Sequence, residues 1–319
     1  KADRDQAVKN VLQSAFSNSG QKCSATSLLI LEEEVYNDEQ FKMALLDAAK
    51  SLKWGSSWNF ENKMGPLIQP NNTALLQAMQ VLEDGESWLL QAVKSMQNAC
   101  FVSPSIKWGV QPNSFTFKTE LFGPLLAVVC AKNLKDAVKI ANSTQYGLTA
   151  GLESLDEDEI TYFKQKISAG NLYINKPTTG AIVLRQAFGG YKKSAVGKGL
   201  KAGGLNYVSA FMEISNQAYE DLDWTFRWQE KWLDIIHEEA FDLEKFKRFT
   251  KSMDYWYHNL FKVKTDYFGL KGEYNWAVYK KFKRVILRLN GQENWEEILK
   301  MLLIHQICKL NLIISVPEN

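Results

Sequence analysis

Residues 17–25, Ser17-Asn18-Ser19-Gly20-Gln21-Lys22-Cys23-Ser24-Ala25, run directly into the apolar stretch Leu28-Leu29-Ile30. A glycine turn that feeds a short apolar run reads as a loop entering a buried strand. Gly20 tolerates backbone angles that other residues resist, so the loop can present a side chain to a cleft at low steric cost. The side chain presented is Cys23. A thiolate attacks carbonyl carbon well, and Lys22 beside it favours ionisation. The backbone N–H groups that follow, with a nearby side-chain amide, can hold the oxyanion formed on attack. Taken alone, a cysteine beside an apolar run is more often a small buried hydrophobe. The rest of the chain has to decide.

Outward from this loop, Ala7, Val11, Leu12 and Ala15 recur at helical spacing over residues 3–16, which predicts a helix delivering the chain to the loop with Phe16 at its end. Residues 27–31 read as a buried strand, and 38–52 as an amphipathic helix capped by Asn37 or Asp38. A helix is expected over 72–82, irregular chain over 83–115, a strand over 125–130 and a helix over 134–142. Strand and helix alternate, which argues for an α/β fold with a largely parallel sheet flanked by helices.

Composition changes after Val208. Trp224, Trp228 and Trp232 recur every four residues, placing three indoles on one helical face, and Phe241, Phe246, Phe249, Tyr255 and Trp256 continue the aromatic bias. Such a stripe is usually packing surface. Residues 284–289, 294–307 and 312–316 then read as strand, helix and strand, one truncated Rossmann-like βαβ unit. The expected division is a catalytic domain over 1–208, an aromatic-rich helical connector over 209–271 and the βαβ unit over 272–319.

A net charge of +2, from 38 basic and 36 acidic residues, gives no pull toward nucleic acid or a membrane surface. The four cysteines, at 23, 100, 130 and 308, form no CxxC and no metal-ligand spacing with the three histidines. That pattern points to a reducing, cytoplasmic setting and no metal. No signal peptide is visible, and no apolar run reaches the roughly 18 residues of a membrane span. The chain opens at Lys1 without an initiator Met, so a fragment or processed product is expected. Gly197-Lys198-Gly199 with Gly203-Gly204 fits neither dinucleotide nor P-loop glycine spacing. The run Lys280-Lys281-Phe282-Lys283-Arg284 reads as a solvated strand entry, and His237, His258 and His305 receive no role.

Gly20-Gln21-Lys22-Cys23-Ser24-Ala25 resembles the nucleophile motif of aldehyde dehydrogenases, and Thr119-Glu120-Leu121-Phe122-Gly123-Pro124 resembles their Glu-x-Phe-Gly-Pro hallmark. Met64-Gly65-Pro66-Leu67 is similar to a turn of the same family. Gly170 to Asn175, Thr178 to Val183, Arg185 to Gly190 and Lys192 to Gly197 narrow the resemblance to bacterial 1-pyrroline-5-carboxylate dehydrogenases, especially the dehydrogenase half of proline utilisation A proteins. It runs from about residue 1 to Val208. The region beyond resembles the C-terminal part of the longer proline utilisation A proteins.

The resemblance implies NAD-dependent oxidation of L-glutamate γ-semialdehyde to L-glutamate, with Cys23 as nucleophile. Glu120 then bonds the nicotinamide ribose hydroxyls, and Phe122 packs by the nicotinamide. Gly180 and Ala181 offer N–H donors to the substrate carboxylate, Ser24 adds a hydroxyl, and Phe16 and Phe188 flank the aliphatic part, or else either belongs to the core. A vicinal diol suits a carboxylate acceptor, and exposed N–H groups of a glycine turn suit an anion. The family's general base lies in a Glu-Leu-Gly-Gly segment, which these residues do not contain. Most of the NAD-binding domain is therefore expected upstream. FAD enters only if a proline dehydrogenase domain lies there too. A homo-oligomer is expected of the full-length protein. The alternatives are another aldehyde substrate, or a non-catalytic piece serving assembly.

Overall fold

The computed structural model describes residues 1–70, 72–183, 185–197, 200–204, 206–213, 223–224 and 242–317. Lys198, Gly199, Trp228, Trp232, His237 and Phe241 lie outside them, so the expected indole stripe is described only at Trp224. The chain divides into two compact units, Lys1–Ala210 and Phe211–Asn319.

In the first unit the elements run α1 (Arg4–Phe16), β1 (Leu28–Glu32), α2 (Glu33–Tyr36), α3 (Glu39–Lys50), α4 (Thr73–Gln80), β2 (Ser87–Leu90), β3 (Ser105–Trp108), α5 (Phe115–Lys118) and β4 (Leu125–Ala131). There follow α6 (Leu134–Ser143), β5 (Thr149–Leu152), α7 (Glu157–Lys166) and β6 (Asn171–Ile174). Side-chain caps set the helix starts: Asp3 accepts from the Gln6 N–H, Asp38 from those of Gln40 and Phe41, and Asn72 from that of Leu75.

The main sheet has the order β1-β4-β3-β2, with β1–β4 and β4–β3 parallel and β3–β2 antiparallel. A separate parallel pair joins β5 to β6. This is the expected α/β architecture. Alternation along β4 explains how the sheet is covered on both faces. Leu126 and Val128 pack with Val8, Leu12 and Phe16 of α1 and Leu45 of α3, whereas Leu125, Ala127 and Val129 pack with Leu75 and Met79 of α4. Burying both faces of a strand requires a continuous apolar run, and residues 125–129 supply it.

The expectation of irregular chain over 83–115 is corrected by β2 and β3. β3 is Ser-Ile-Lys-Trp, with a cation at its centre, so no strand pattern shows in sequence. Ile106 and Trp108 face one core while Lys107, 1% exposed, sits on the other side. Its Nζ donates to Glu86 Oε2 at 2.9 Å, the Val81 carbonyl at 2.7 Å and Thr116 Oγ1 at 3.0 Å. Partners 9 to 26 residues away make the buried charge tolerable, and no local pattern announces them.

The second unit contains α8 (Leu243–Trp256), the short strands β7 (Thr265–Asp266) and β8 (Trp276–Ala277), β9 (Val285–Arg288), α9 (Trp295–Cys308) and β10 (Leu312–Ser315). β9 and β10 pair parallel across α9, as the βαβ reading expects. Phe246 of α8 shares a core with Leu299 and Leu303 of α9. The connector helix and the βαβ helix, expected in separate segments, thus pack together. Trp224 Nε1 donates to Asp254 at 2.8 Å, which ties part of the aromatic segment to α8.

Candidate active site

Cys23 is exposed, in a loop whose backbone is fixed from three directions. The first is the chain itself. Asn18, Ser19 and Gly20 follow α1 with φ of 55°, 56° and 69°, three successive left-handed residues, two of which bear side chains that resist this conformation. Such backbone persists only where surroundings over-determine it.

The second direction is the turn at Met64–Ile68. Ser19 Oγ donates to the Gly65 carbonyl at 2.7 Å. The Gln21 amide donates to the Pro66 carbonyl at 3.2 Å and accepts from the Ile68 N–H at 2.8 Å. Gln21 is thereby committed to positioning and is not the side-chain amide that would serve an oxyanion.

The third direction brings the two hallmark segments together. A Cβ built on Gly20 would overlap the carbonyl of Gly123, and one built on Gly123 would overlap Leu75. Only glycines allow this approach. Glu120 and Phe122, expected at the cofactor, sit just before that contact on the loop entering β4. Both are exposed, and Phe122 has φ 49°. Among the described residues Glu120 has no hydrogen-bond or ion-pair partner.

Behind the loop stands Thr178. Its N–H donates to Ser14 Oγ at 2.9 Å, its hydroxyl donates to the Ser24 carbonyl at 2.8 Å, and it meets the Thr26 hydroxyl at 2.9 Å. The Ser14 carbonyl also accepts from the Thr26 N–H, at 3.1 Å. Ser24 is therefore buried and held through its backbone. Beyond Thr178 the chain opens: Gly180 is exposed, with φ +96° and nothing within 4 Å of the place a methyl group would occupy, and Ala181 is half-buried. Among the described residues the N–H groups of Cys23 and Ser24 have no hydrogen-bond partner, whereas that of Ala25 donates to the Lys22 carbonyl at 2.9 Å.

Phe188 is half-buried and rigidly placed. Its N–H and carbonyl pair with Ala202 at 2.9 Å each way, while Asn171 of β6 donates to the Ala187 carbonyl at 3.0 Å and accepts from the Gly189 N–H at 3.2 Å. For Phe16 the core alternative describes the structure: it is 1% exposed and belongs to the core beside Leu12, one helical turn earlier on the same face of α1.

Electrostatics separate the thiols. Burial, then the carboxylates of Glu33 and Asp136, raise the Cys130 thiol above the usual range, and burial raises that of Cys308. Burial also raises Tyr173 of β6, and the charge of Cys23 adds to it. Tyr173 and Thr178 escape a reading of the sequence as individual residues. Their signal is long-range contact, which no local spacing carries. Among the described residues no group of three or more metal-ligating side chains occurs, and no helix is long and apolar enough to cross a membrane.

The Aldehyde dehydrogenase family model matches residues 1–216, and the chain belongs to that family. It is 37% identical over 215 residues to 1-pyrroline-5-carboxylate dehydrogenase 1 of Halalkalibacterium halodurans, covering 66% of this chain and 41% of that protein. Proline utilisation A (PutA) from Corynebacterium freiburgense superposes with a TM-score of 0.88 at 35% identity, over 100% of this chain and 32% of that one. A 1-pyrroline-5-carboxylate dehydrogenase from Thermus with bound NAD gives 0.61 at 31% identity, over 67% of this chain and 40% of that one. The chain thus spans well under half the length of the curated relatives it matches.

Proposed function

We propose that this chain carries the nucleophile and substrate loops of an NAD-dependent dehydrogenase that oxidises L-glutamate γ-semialdehyde to L-glutamate in proline breakdown. The observation that carries the reading is the locking of the exposed Cys23 loop against Gly123 on one side and Thr178 on the other. These two contacts support a reading in which Cys23, Glu120–Phe122 and the Thr178–Val183 loop serve one site.

Each residue has a definite task. Cys23 Sγ adds to the aldehyde carbon, and the free N–H groups of Cys23 and Ser24 stabilise the oxygen as it becomes anionic. Gly180 and Ala181 bind the substrate carboxylate through backbone N–H, with the Ser24 hydroxyl beside them, and Phe188 covers the methylene chain. Once the adduct has given up its hydride, Cys23 carries the acyl group until water releases it as the carboxylate.

The residues present fit NAD: the exposed carboxylate of Glu120, without a partner among the described residues, suits the ribose diol, and the exposed Phe122 ring suits a flat heteroaromatic. When bound, NAD supplies the hydride acceptor. A cytoplasmic, homo-oligomeric enzyme belongs to the same reading.

The test is NADH formation by the gene product containing these residues, with γ-semialdehyde against propanal. The expected result is a strong preference for γ-semialdehyde that narrows in Ser24→Ala. Losing one hydrogen bond to a carboxylate is worth about 1.5–3 kcal/mol, on the order of ten- to a hundred-fold in the Michaelis constant. Equal use of both aldehydes would remove the substrate assignment.

A further inference from the structure

Most polar side chains packed around the nucleophile loop have partners. Ser14, Ser19, Gln21, Thr26 and Thr178 all do. Tyr173 differs: it is 5% exposed, and its hydroxyl, fully shielded from solvent, has no hydrogen-bond partner among the described residues. A buried hydroxyl left unpaired is costly, and one that persists calls for an explanation.

Position narrows the explanation. Tyr173 lies on β6, paired in register with Gly151 of β5. Five residues later the same segment supplies Thr178, bonded to the Ser24 carbonyl next to Cys23. The tyrosine therefore stands on the strand that braces the nucleophile loop. Cys23 is also the charge that Tyr173 senses after burial itself, and both influences keep the phenol protonated. A phenol that stays protonated while a neighbouring thiol ionises is a hydrogen-bond donor with an anion to serve.

We propose that Tyr173 is a positioning residue for Cys23, its hydroxyl donating, through one bridging water, a hydrogen bond that favours the thiolate. This rests on the reading of Cys23 as nucleophile. It goes beyond that reading by naming what the chain itself provides to ionise the thiol.

The experiment needs neither aldehyde nor cofactor. Alkylation of Cys23 by iodoacetamide is followed by peptide mass spectrometry across pH 5.5–10 in the 319-residue chain and its Tyr173→Phe variant, with thermal melting of both. Loss of the donor should raise the midpoint of the Cys23 profile by about one pH unit, making alkylation about tenfold slower at neutral pH. The melting temperature should stay level or rise, since Phe keeps the ring and removes an unpaired hydroxyl. Coincident profiles overturn the proposal. So does a melting temperature lowered by several degrees, because the hydroxyl would then be serving the fold. If Cys23 in the unaltered chain reacts no faster than Cys130, the nucleophile assignment itself falls, an outcome separate from either of these.

Discussion

The Cα of Gly20, three residues before Cys23, lies against the carbonyl of Gly123, one residue after Phe122, so closely that no side chain fits between them. Two segments a hundred residues apart in sequence thereby share one backbone contact. Gly20→Ala meets both a main-chain overlap and a left-handed φ of +69°. The φ alone costs about 1–2 kcal/mol. With the overlap added, the melting temperature should fall by several degrees, and Cys23 alkylation should slow as the loop is displaced. A variant that melts and reacts like the parent would show that the contact does not set the loop.

Thr178→Val keeps shape but leaves the Ser24 carbonyl without its donor and the Thr26 hydroxyl without its partner. Stranding buried polar groups costs about 1–3 kcal/mol, measurable by urea unfolding. Thr178→Ser retains the hydroxyl and should recover most of the loss. A Thr178→Val variant as stable as the parent, or a Thr178→Ser variant that recovers nothing over Val, would show that the hydroxyl does not brace the loop.

Lys107→Met leaves the Glu86 side chain, 0% exposed, as an uncompensated buried charge. Removing one member of a buried pair costs about 3–5 kcal/mol. The double variant Lys107→Met/Glu86→Leu should regain much of this, because neither charge remains to be compensated. A single variant within about 1 kcal/mol of the parent, on the scale of a surface pair, would contradict the pairing.

Cys130 supplies a pH dependence. Cys130 is exposed, yet partial desolvation of its thiol and the carboxylates of Glu33 and Asp136 raise it, so less thiolate is present near neutral pH and more appears as pH climbs through the raised value. Iodoacetamide labelling of Cys130 should lag at pH 7 and increase steeply toward pH 10. Glu33→Gln, which removes one of the two repelling carboxylates, should shift that rise to lower pH. Fast labelling at pH 7 would mean the thiol is not disfavoured.

These residues contain no Glu-Leu-Gly-Gly segment, the resembled family's source of the general base. On their own they should give no steady NADH production from γ-semialdehyde and NAD, since unassisted water forfeits roughly a hundred- to ten-thousand-fold in releasing the acyl group. Steady turnover would place the missing functions within the 319 residues.

Local signals make much of this molecule legible. The Ala7–Ala15 spacing announces α1, Asp38 is one of the two caps offered for α3, and the apolar run at 125–129 announces a buried strand. The glycines of the two motifs are legible as motifs, yet their reason is tertiary: Gly20 is required by Gly123, which sequence spacing does not disclose. β3 stays hidden because its centre is a lysine whose partners come from three other segments. Phe16 is legible only as an alternative: its position at the end of a helix beside the loop suggests the cleft, its four-residue spacing from Leu12 the core, where it lies. Thr178 acts across 154 residues of chain, beyond the reach of any window.

The central claim, that Cys23 attacks carbonyl carbon from a prebuilt loop, is tested most directly by acylation with p-nitrophenyl acetate. The sulfur takes the acetyl group and nitrophenolate leaves, so colour counts attacks without aldehyde, cofactor or general base. The account predicts a burst approaching one nitrophenolate per chain, an acetyl mass on the peptide containing Cys23, and no burst in Cys23→Ala. A burst that survives Cys23→Ala, or an acetyl group found first on Cys100, Cys130 or Cys308, would contradict it.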